Sequence, residues 1–479
     1  MKKLINQPGN VVREMLEGIV LGNNDLTLLA GENVVVRADI DAHRRSGRVS
    51  LISGGGSGHE PAHAGYVGEG LLTAAVAGDV FTSPSVDAVL AAIRSVTGSS
   101  GTLLIVKNYT GDRLNFGLAA EIARSEGIVV ETVLVDDDVA LSDEAAGAGR
   151  RGLAGTILIH KVAGAAAAAS LSLAEVKSEA EAAIAALGTM GVALTPCTVP
   201  AAAIPSFTLA ADEIELGLGI HGEPGVRRVT MAPADALVEE LLERIIAVKQ
   251  IATGSRVALL VNNLGGSPPM ELAIVTRAAL SQLSARGMVV ERVLTGTYLT
   301  ALEMAGFSLS LITVNDERLA RLSIGASAPA WTEMRTPQAL VPTMPVTESV
   351  SLLADTADSE RESPLPAAEI TRLRCVIEAI IAELLAAEPT LTPNGQCRRR
   401  WRSGDQPRAR RRVGACGVES IRSRAPEAAA VSNLSDAAAS VGRHLRSVVQ
   451  HLLVAHVGDL AEARATVLRR LGRCVRGRL

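Results

Sequence analysis

Up to about residue 340 the chain alternates short β-branched runs with longer stretches whose apolar residues recur every three to four positions. Residues 49–53, 102–109, 128–135, 192–198, 256–263 and 288–294 have the continuous apolar character of strands buried on both faces. Between them, 85–96, 114–126, 173–187, 232–249 and 270–286 carry the helical period. Helices interleaved with strands imply an α/β fold. Pro233-Ala-Asp and Ser267-Pro-Pro stand where helices are expected to start, with Pro at or near the first turn. Gly188–Gly191 reads as a break between two α/β domains, 1–188 and 189–340. Residues 341–366, rich in Ser, Thr, Pro and acids, read as a linker. The apolar positions Ile370, Leu373, Ile377, Ile380, Ile381 and Leu384 then predict an amphipathic helix over 367–387, opening a third, all-helical domain in 367–392.

Charge changes this picture at one place. The net −4 of the 479 residues hides a break at Pro393, beyond which there are 18 Arg, no Lys and 6 acids. That tail, 393–479, carries +12 against −16 for the body, and it holds three of the five cysteines. Several classes drop out. No run of 18 apolar residues is free of charges or Gly/Pro breaks, so no membrane span is expected. The opening Met1-Lys-Lys-Leu-Ile-Asn-Gln-Pro-Gly has no apolar core, so no secretory signal is expected. Cysteines without paired spacing suit a reducing cytoplasm and give no disulfide framework and no metal site.

Three motifs carry chemistry. Leu51-Ile-Ser-Gly-Gly-Gly-Ser-Gly-His59 runs a strand into four glycines, which let backbone N–H groups approach a ligand. It is neither a P-loop nor a dinucleotide fingerprint. Glycines alone fit a tight structural turn as well; His59 favours a ligand. Val106-Lys107-Asn-Tyr-Thr-Gly-Asp112 follows another strand, at the strand end where open α/β sheets bind ligands. Lys107 and Asp112 suit a polar substrate that must lose a proton, although Asp112 could equally cap a helix beginning near Arg113. Glu213-Ile-Glu-Leu-Gly-Leu-Gly-Ile-His221-Gly-Glu-Pro-Gly225 sets a histidine between glycines after an apolar strand, where a nucleophile could reach a carbonyl. His43 and His160 have no such setting and receive no role.

Together with the opening KKLINQPGNVVREMLEGIV, the stretches GRRGLAGTILIHKVAGA and LLVNNLGGSPPMEL, these motifs make residues 1–340 resemble the dihydroxyacetone (glycerone) kinase family, in its single-chain, ATP-dependent form. The resemblance implies a cytoplasmic phosphotransferase with a two-domain α/β ketone-binding unit, a homodimer. Its substrate is dihydroxyacetone or a related short ketose or aldehyde such as erythrulose or glyceraldehyde, held as a hemiaminal on His221. It implies substrate contacts from Gly56, Ser57, Gly58, His59, Lys107 and Asp112, with His59 and Asp112 as the acid/base pair. A covalent adduct would select carbonyl compounds over glycerol and fix the terminal hydroxyl for phosphoryl transfer. A non-catalytic ketone sensor or co-regulator is the alternative within the family.

ATP and Mg²⁺ are expected by resemblance on a separate helical domain, fused or on another chain, through a D-x-x-x-G-D-G-D-x-G motif. Glu388-Pro-Thr-Leu-Thr392 resembles the approach to that motif, yet Arg-rich sequence follows. Read one base out, Gly395–Ala409 can be recoded to D-S-A-V-G-D-G-D-L-G-T-N-L-A, and Gly442–Leu453 to G-G-T-S-G-P-L-Y-S-I-F. Free wobble bases make much of this permissive, but Trp401 has one codon and forces a glycine where the motif requires one. The tail is therefore expected to be a frameshifted translation, and the chain to need an ATP-binding subunit in trans. The competing reading is a basic nucleic-acid arm built on Arg398–Arg400 and Arg410–Arg412; the lack of Lys and the scarcity of aromatics oppose it, and no nucleic-acid partner is expected.

Overall fold

The computed structural model describes residues 2–141, 149–202, 204–223, 225–339 and 341–344. The first half runs α1 (Val11–Leu21), β1 (Leu26–Leu28), β2 (Val34–Arg37), α2 (Ile40–Arg45), β3 (Ser50–Ser57), β4 (Ala74–Val80), α3 (Val86–Val96), β5 (Thr102–Lys107), α4 (Thr110–Ser125) and β6 (Val130–Val135). Then come α5 (Thr156–Ala168), α6 (Leu173–Ala186), β7 (Leu187–Ala193), β8 (Glu213–Leu216), β9 (Arg227–Thr230), α7 (Ala234–Lys249), β10 (Arg256–Asn263), α8 (Pro269–Ala285), β11 (Val289–Gly296), β12 (Gly306–Thr313) and α9 (Asp316–Ser323). The fold class is α/β, as the alternation of patterns implies. The expected helix at 367–387 and the Arg-rich tail lie outside the described residues.

The strands form two sheets, ordered β1-β2-β4-β3-β5-β6 and β11-β10-β12-β7-β8-β9. Strand alternation explains the layering. In the first sheet Ile52, Leu104 and Val106 face α3 and α4, packing on Val89, Ile93 and Phe116. Their neighbours Leu51 and Ile105 face the other way, into a core that includes Ile157 and Leu158 of α5 and Ala180 and Ala183 of α6. That same core takes in Leu260 and Ile312 of the second sheet. Leu259 and Leu311, on the second sheet's far face, cluster with Leu241 and Ile245 of α7 and Val275 of α8. One helical layer thus serves both sheets. Burying the methyl and methylene groups of such a core contributes about 25 cal/mol for each Å² removed from water.

Three differences from the sequence pattern have physical causes. The helix α5 has no apolar stripe to detect, because every residue from Thr156 to Ala167 is buried. The expected strand at 192–198 lies at 187–193 instead. Gly188 sits inside it because a Cβ there would press within 2.7 Å of Lys249 and 3.3 Å of Ile245 on α7, so the glycine marks close packing. Finally, α4 starts at Thr110 with Tyr109 as its N-cap, which puts Asp112 inside the first turn and not at the cap.

Candidate active site

In the first sheet β3, β4, β5 and β6 run parallel, so their carboxyl ends share one edge. β4 lies to one side of β3 and β5 to the other, which opens a crevice at the point where the connections diverge. Into it β3 delivers Gly58 and His59, β4 delivers Phe81, and β5 delivers Lys107. The glycine turn is tight for steric reasons. Gly58 has φ +101°, and a Cβ there would lie 2.8 Å from the Phe81 ring. A Cβ on Gly55 would collide with the Lys107 ammonium. The Ser57 hydroxyl donates to the Gly78 carbonyl at 2.7 Å, and the Gly58 N–H donates to the Glu60 carboxylate at 3.0 Å. Both groups therefore help to shape the turn.

His59 is fully buried. Its Nδ1–H donates to the Thr300 carbonyl at 2.7 Å, which assigns the tautomer and leaves Nε2 with a lone pair and no partner. Thr300 comes from the connection between β11 and β12, and its N–H returns to the His59 carbonyl at 3.1 Å. The Leu302 N–H donates to the Gly58 carbonyl at 2.8 Å, so the second sheet holds the turn of the first. Burial, with His221 and Lys107 nearby, keeps the His59 proton affinity well below the ordinary histidine value.

His221 lies in the loop between β8 and β9. Its Nδ1 is 3.0 Å from Glu223 Oε1, and its backbone N–H donates to Oε2 of the same carboxylate at 2.9 Å. An anion on Nδ1 fixes the proton there and leaves Nε2 as the ring's lone-pair nitrogen. Burial would raise the Glu223 carboxyl, but the hydrogen bonds from the His221 ring and backbone N–H outweigh it and hold the group below the ordinary carboxylate range. The ring is walled by Tyr109 at 4.5 Å, His59 at 4.9 Å and Phe81 at 5.4 Å between centroids. Arg151 ties the start of the loop to the segment that follows β6, pairing with buried Asp138 at 2.6 Å and donating to the Gly217 carbonyl at 2.8 Å.

Lys107 is fully buried at the end of β5. Its ammonium donates to His63 Nε2 at 3.0 Å and, at a longer 3.4 Å, to the Gly54 carbonyl. Burial lowers its proton affinity and Asp112 partly restores it. Asp112, buried in the first turn of α4, reaches the same spot: its Oδ2 would lie 3.4 Å from a Cβ on Gly55.

The structure thus gathers His59, Lys107, Asp112, His221 and the turn Gly56–Gly58 around one crevice. His43 lies apart, its ring 3.2 Å from the Ser50 hydroxyl. Glu223, Tyr109, Phe81 and Thr300 belong to the site and were not assigned from sequence. Glu223 stood two residues from His221 in the motif, and this i, i+2 carboxylate was the available signal. Phe81 and Thr300 gave none, since only tertiary pairing brings them here.

The two sheets thus set two histidines side by side at the crevice, each with Nδ1 engaged. The chain belongs to the family of the Dak1 domain, whose model matches residues 17–330. It is 50% identical over 395 residues to a putative 3,4-dihydroxy-2-butanone kinase of Solanum lycopersicum, a match covering 80% of this chain and 66% of that protein. It is 47% identical over 333 residues to the dihydroxyacetone-binding subunit of a phosphotransferase-system-dependent dihydroxyacetone kinase of Listeria innocua, covering 69% of this chain and 100% of that subunit. Among solved structures, the dihydroxyacetone kinase of C. freundii superposes with TM-score 0.66 at 38% identity, covering 81% of this chain and 69% of that one. A dihydroxyacetone kinase operon co-activator superposes with TM-score 0.64 at 37% identity, covering 67% and 98%. The chain spans 58% to 66% of the length of the first curated relatives it matches.

Proposed function

We propose that this chain is the ketone-binding half of a kinase for dihydroxyacetone or a close relative, and that it holds the substrate as a hemiaminal on His221. The observation that carries this reading is the Glu223 grip on His221 Nδ1, which leaves Nε2 as a nucleophile in a ring beside His59. The Nε2 lone pair attacks the carbonyl carbon, forming a C–N bond as the C=O π pair moves onto oxygen. Attack makes the ring positive and the oxygen an alkoxide. Glu223 stabilises that ring charge and takes the Nδ1 proton, leaving the ring neutral, while the alkoxide takes a proton from water and Glu223 returns its own to solvent. The net change is one proton moved from ring to oxygen. Glycerol has no carbonyl carbon to attack. With the adduct formed, His59 Nε2 accepts the proton of the terminal hydroxyl, and Lys107 and Asp112 orient that hydroxyl and its charge.

The phosphoryl donor comes from elsewhere in this reading. Among the described residues no group of three or more His, Cys, Asp or Glu side chains is arranged to hold a metal ion. A C. freundii kinase has been solved with AMP-PNP and Mg²⁺, and ATP with Mg²⁺ is the donor we assign to the family's nucleotide domain. The match to the Solanum lycopersicum protein covers 80% of 479 residues, so it runs past the Dak1 match and extends at least to about residue 380. This supports 367–392 as the start of that domain. We infer that from Pro393 the message is read out of frame, so the carboxylate motif is lost; sequencing the DNA across codons 388–400 is expected to restore the frame.

Calorimetry on the full chain tests the ketone half: dihydroxyacetone binds and glycerol does not. Incubation with ATP and Mg²⁺ tests the rest. Phosphate ester is expected only after a nucleotide-binding subunit is added, and robust turnover by the chain alone contradicts the account. The likeness to the operon co-activator favours a second reading, a ketone sensor, which would bind dihydroxyacetone and stay silent even with that subunit.

A further inference from the structure

Behind Lys107 lies a chain of side chains that the reaction above does not use. Ser53 on β3 donates its hydroxyl proton to the Ile105 carbonyl at 2.7 Å, an acceptor only. The Ser53 oxygen is then left to accept, and His63 Nδ1 lies at 3.5 Å, a long contact in which the ring must be the donor. Protonation at Nδ1 leaves His63 Nε2 with its lone pair, and that lone pair meets the Lys107 ammonium at 3.0 Å. Each link fixes the direction of the next. The chain starts at the Ile105 carbonyl and ends at the Lys107 side chain, two residues further along β5.

We propose that His63 is a positioning residue for Lys107. It takes one ammonium hydrogen with a neutral acceptor, the Gly54 carbonyl takes a second, and the third is left to the substrate. A neutral acceptor matters. A carboxylate at this place would form an ion pair and draw the ammonium away from the crevice, whereas an imidazole fixes its direction and leaves its charge to Asp112 and the ligand. The surroundings fit a neutral ring. His63 is buried, and burial together with Lys107, His160 and His59 holds its proton affinity well below the ordinary value. On its far side stands His160 of α5, edge-on at 5.1 Å, with neither ring nitrogen partnered. Among the described residues no anion backs the ring there. This inference rests on the reading of Lys107 as a substrate contact.

A double-mutant cycle on dihydroxyacetone binding to the full chain tests it. His63→Phe keeps the ring contact with His160 and removes the acceptor, and weakens binding by about tenfold, the effect of leaving a charged donor without its partner. His63→Gln, whose side-chain oxygen reaches the position of Nε2, recovers affinity to within about threefold. In a Lys107→Met background His63→Phe adds nothing further, because the residue acts through Lys107. An additive cycle, or Phe and Gln variants that lose affinity equally in step with their melting temperatures, overturns the proposal. If His63→Phe does not fold, His63→Leu takes its place in the cycle. A wild-type chain that binds no dihydroxyacetone indicts the functional reading instead, so the two failures are distinguishable.

Discussion

His59 and His221 stand 4.9 Å apart, each with Nδ1 engaged, yet they are engaged by different partners. Behind His59 is a neutral backbone carbonyl; behind His221 is a carboxylate. An anion at Nδ1 stabilises the positive charge that appears on a ring when its other nitrogen bonds to carbon, while a neutral carbonyl does so only weakly. His59 is also sealed from water, whereas the His221 side chain keeps 18% of its exposure. Under the proposed function the same side chain is tuned for two tasks: His221 to form and release a covalent bond with an entering ligand, His59 to stay neutral until a proton is offered.

The comparison breaks most completely with His221→Ala. Loss of the nucleophile is expected to reduce dihydroxyacetone affinity by about 100-fold or more, measured by calorimetry. His59→Asn keeps a donor for the Thr300 carbonyl but removes Nε2; turnover with a nucleotide-binding subunit falls by about 10²–10⁴, read as kcat, while the ketone is still bound. Glu223→Gln keeps a hydrogen bond and removes the anion, which costs affinity about 10- to 100-fold if the charge matters as argued. Equal affinity in that variant would erase the distinction between the two rings.

The smallest effect is on stability. His59, His63 and His160 are all held neutral, chiefly by burial. Below the unfolded value of about 6.5 the unfolded chain binds protons that the folded chain refuses, so stability falls as pH falls. His160 is pushed down to about 3, which amounts to about 2 kcal/mol lost at pH 5. Melting curves of His160→Leu between pH 7 and pH 5 are expected to decline less steeply than those of the wild type.

How much of this could be read beforehand follows from where the information lies. The glycine turn and the His221 motif are local: glycine forced by close approach and a histidine beside it are visible in a dozen residues. Lys107 and Asp112 were legible because a parallel strand announces its own carboxyl end. Phe81 and Thr300 reach the site only through the register of β4 and the link between β11 and β12. The helix α5 escaped notice because burial on every side erases the amphipathic period, and Gly188 reads as a break when its purpose is to admit α7. His63 is the instructive case, lying in the quoted motif with a role set by a partner 44 residues away.

The central claim is a bond between His221 and the substrate carbon, and carbon-13 NMR of dihydroxyacetone labelled at C2 tests it most directly. With the full chain the account predicts a protein-bound signal in the tetrahedral-carbon region, distinct from the free hydrate and absent in His221→Ala. A bound ligand whose C2 stays in the ketone region, or a tetrahedral signal that survives His221→Ala, would contradict it.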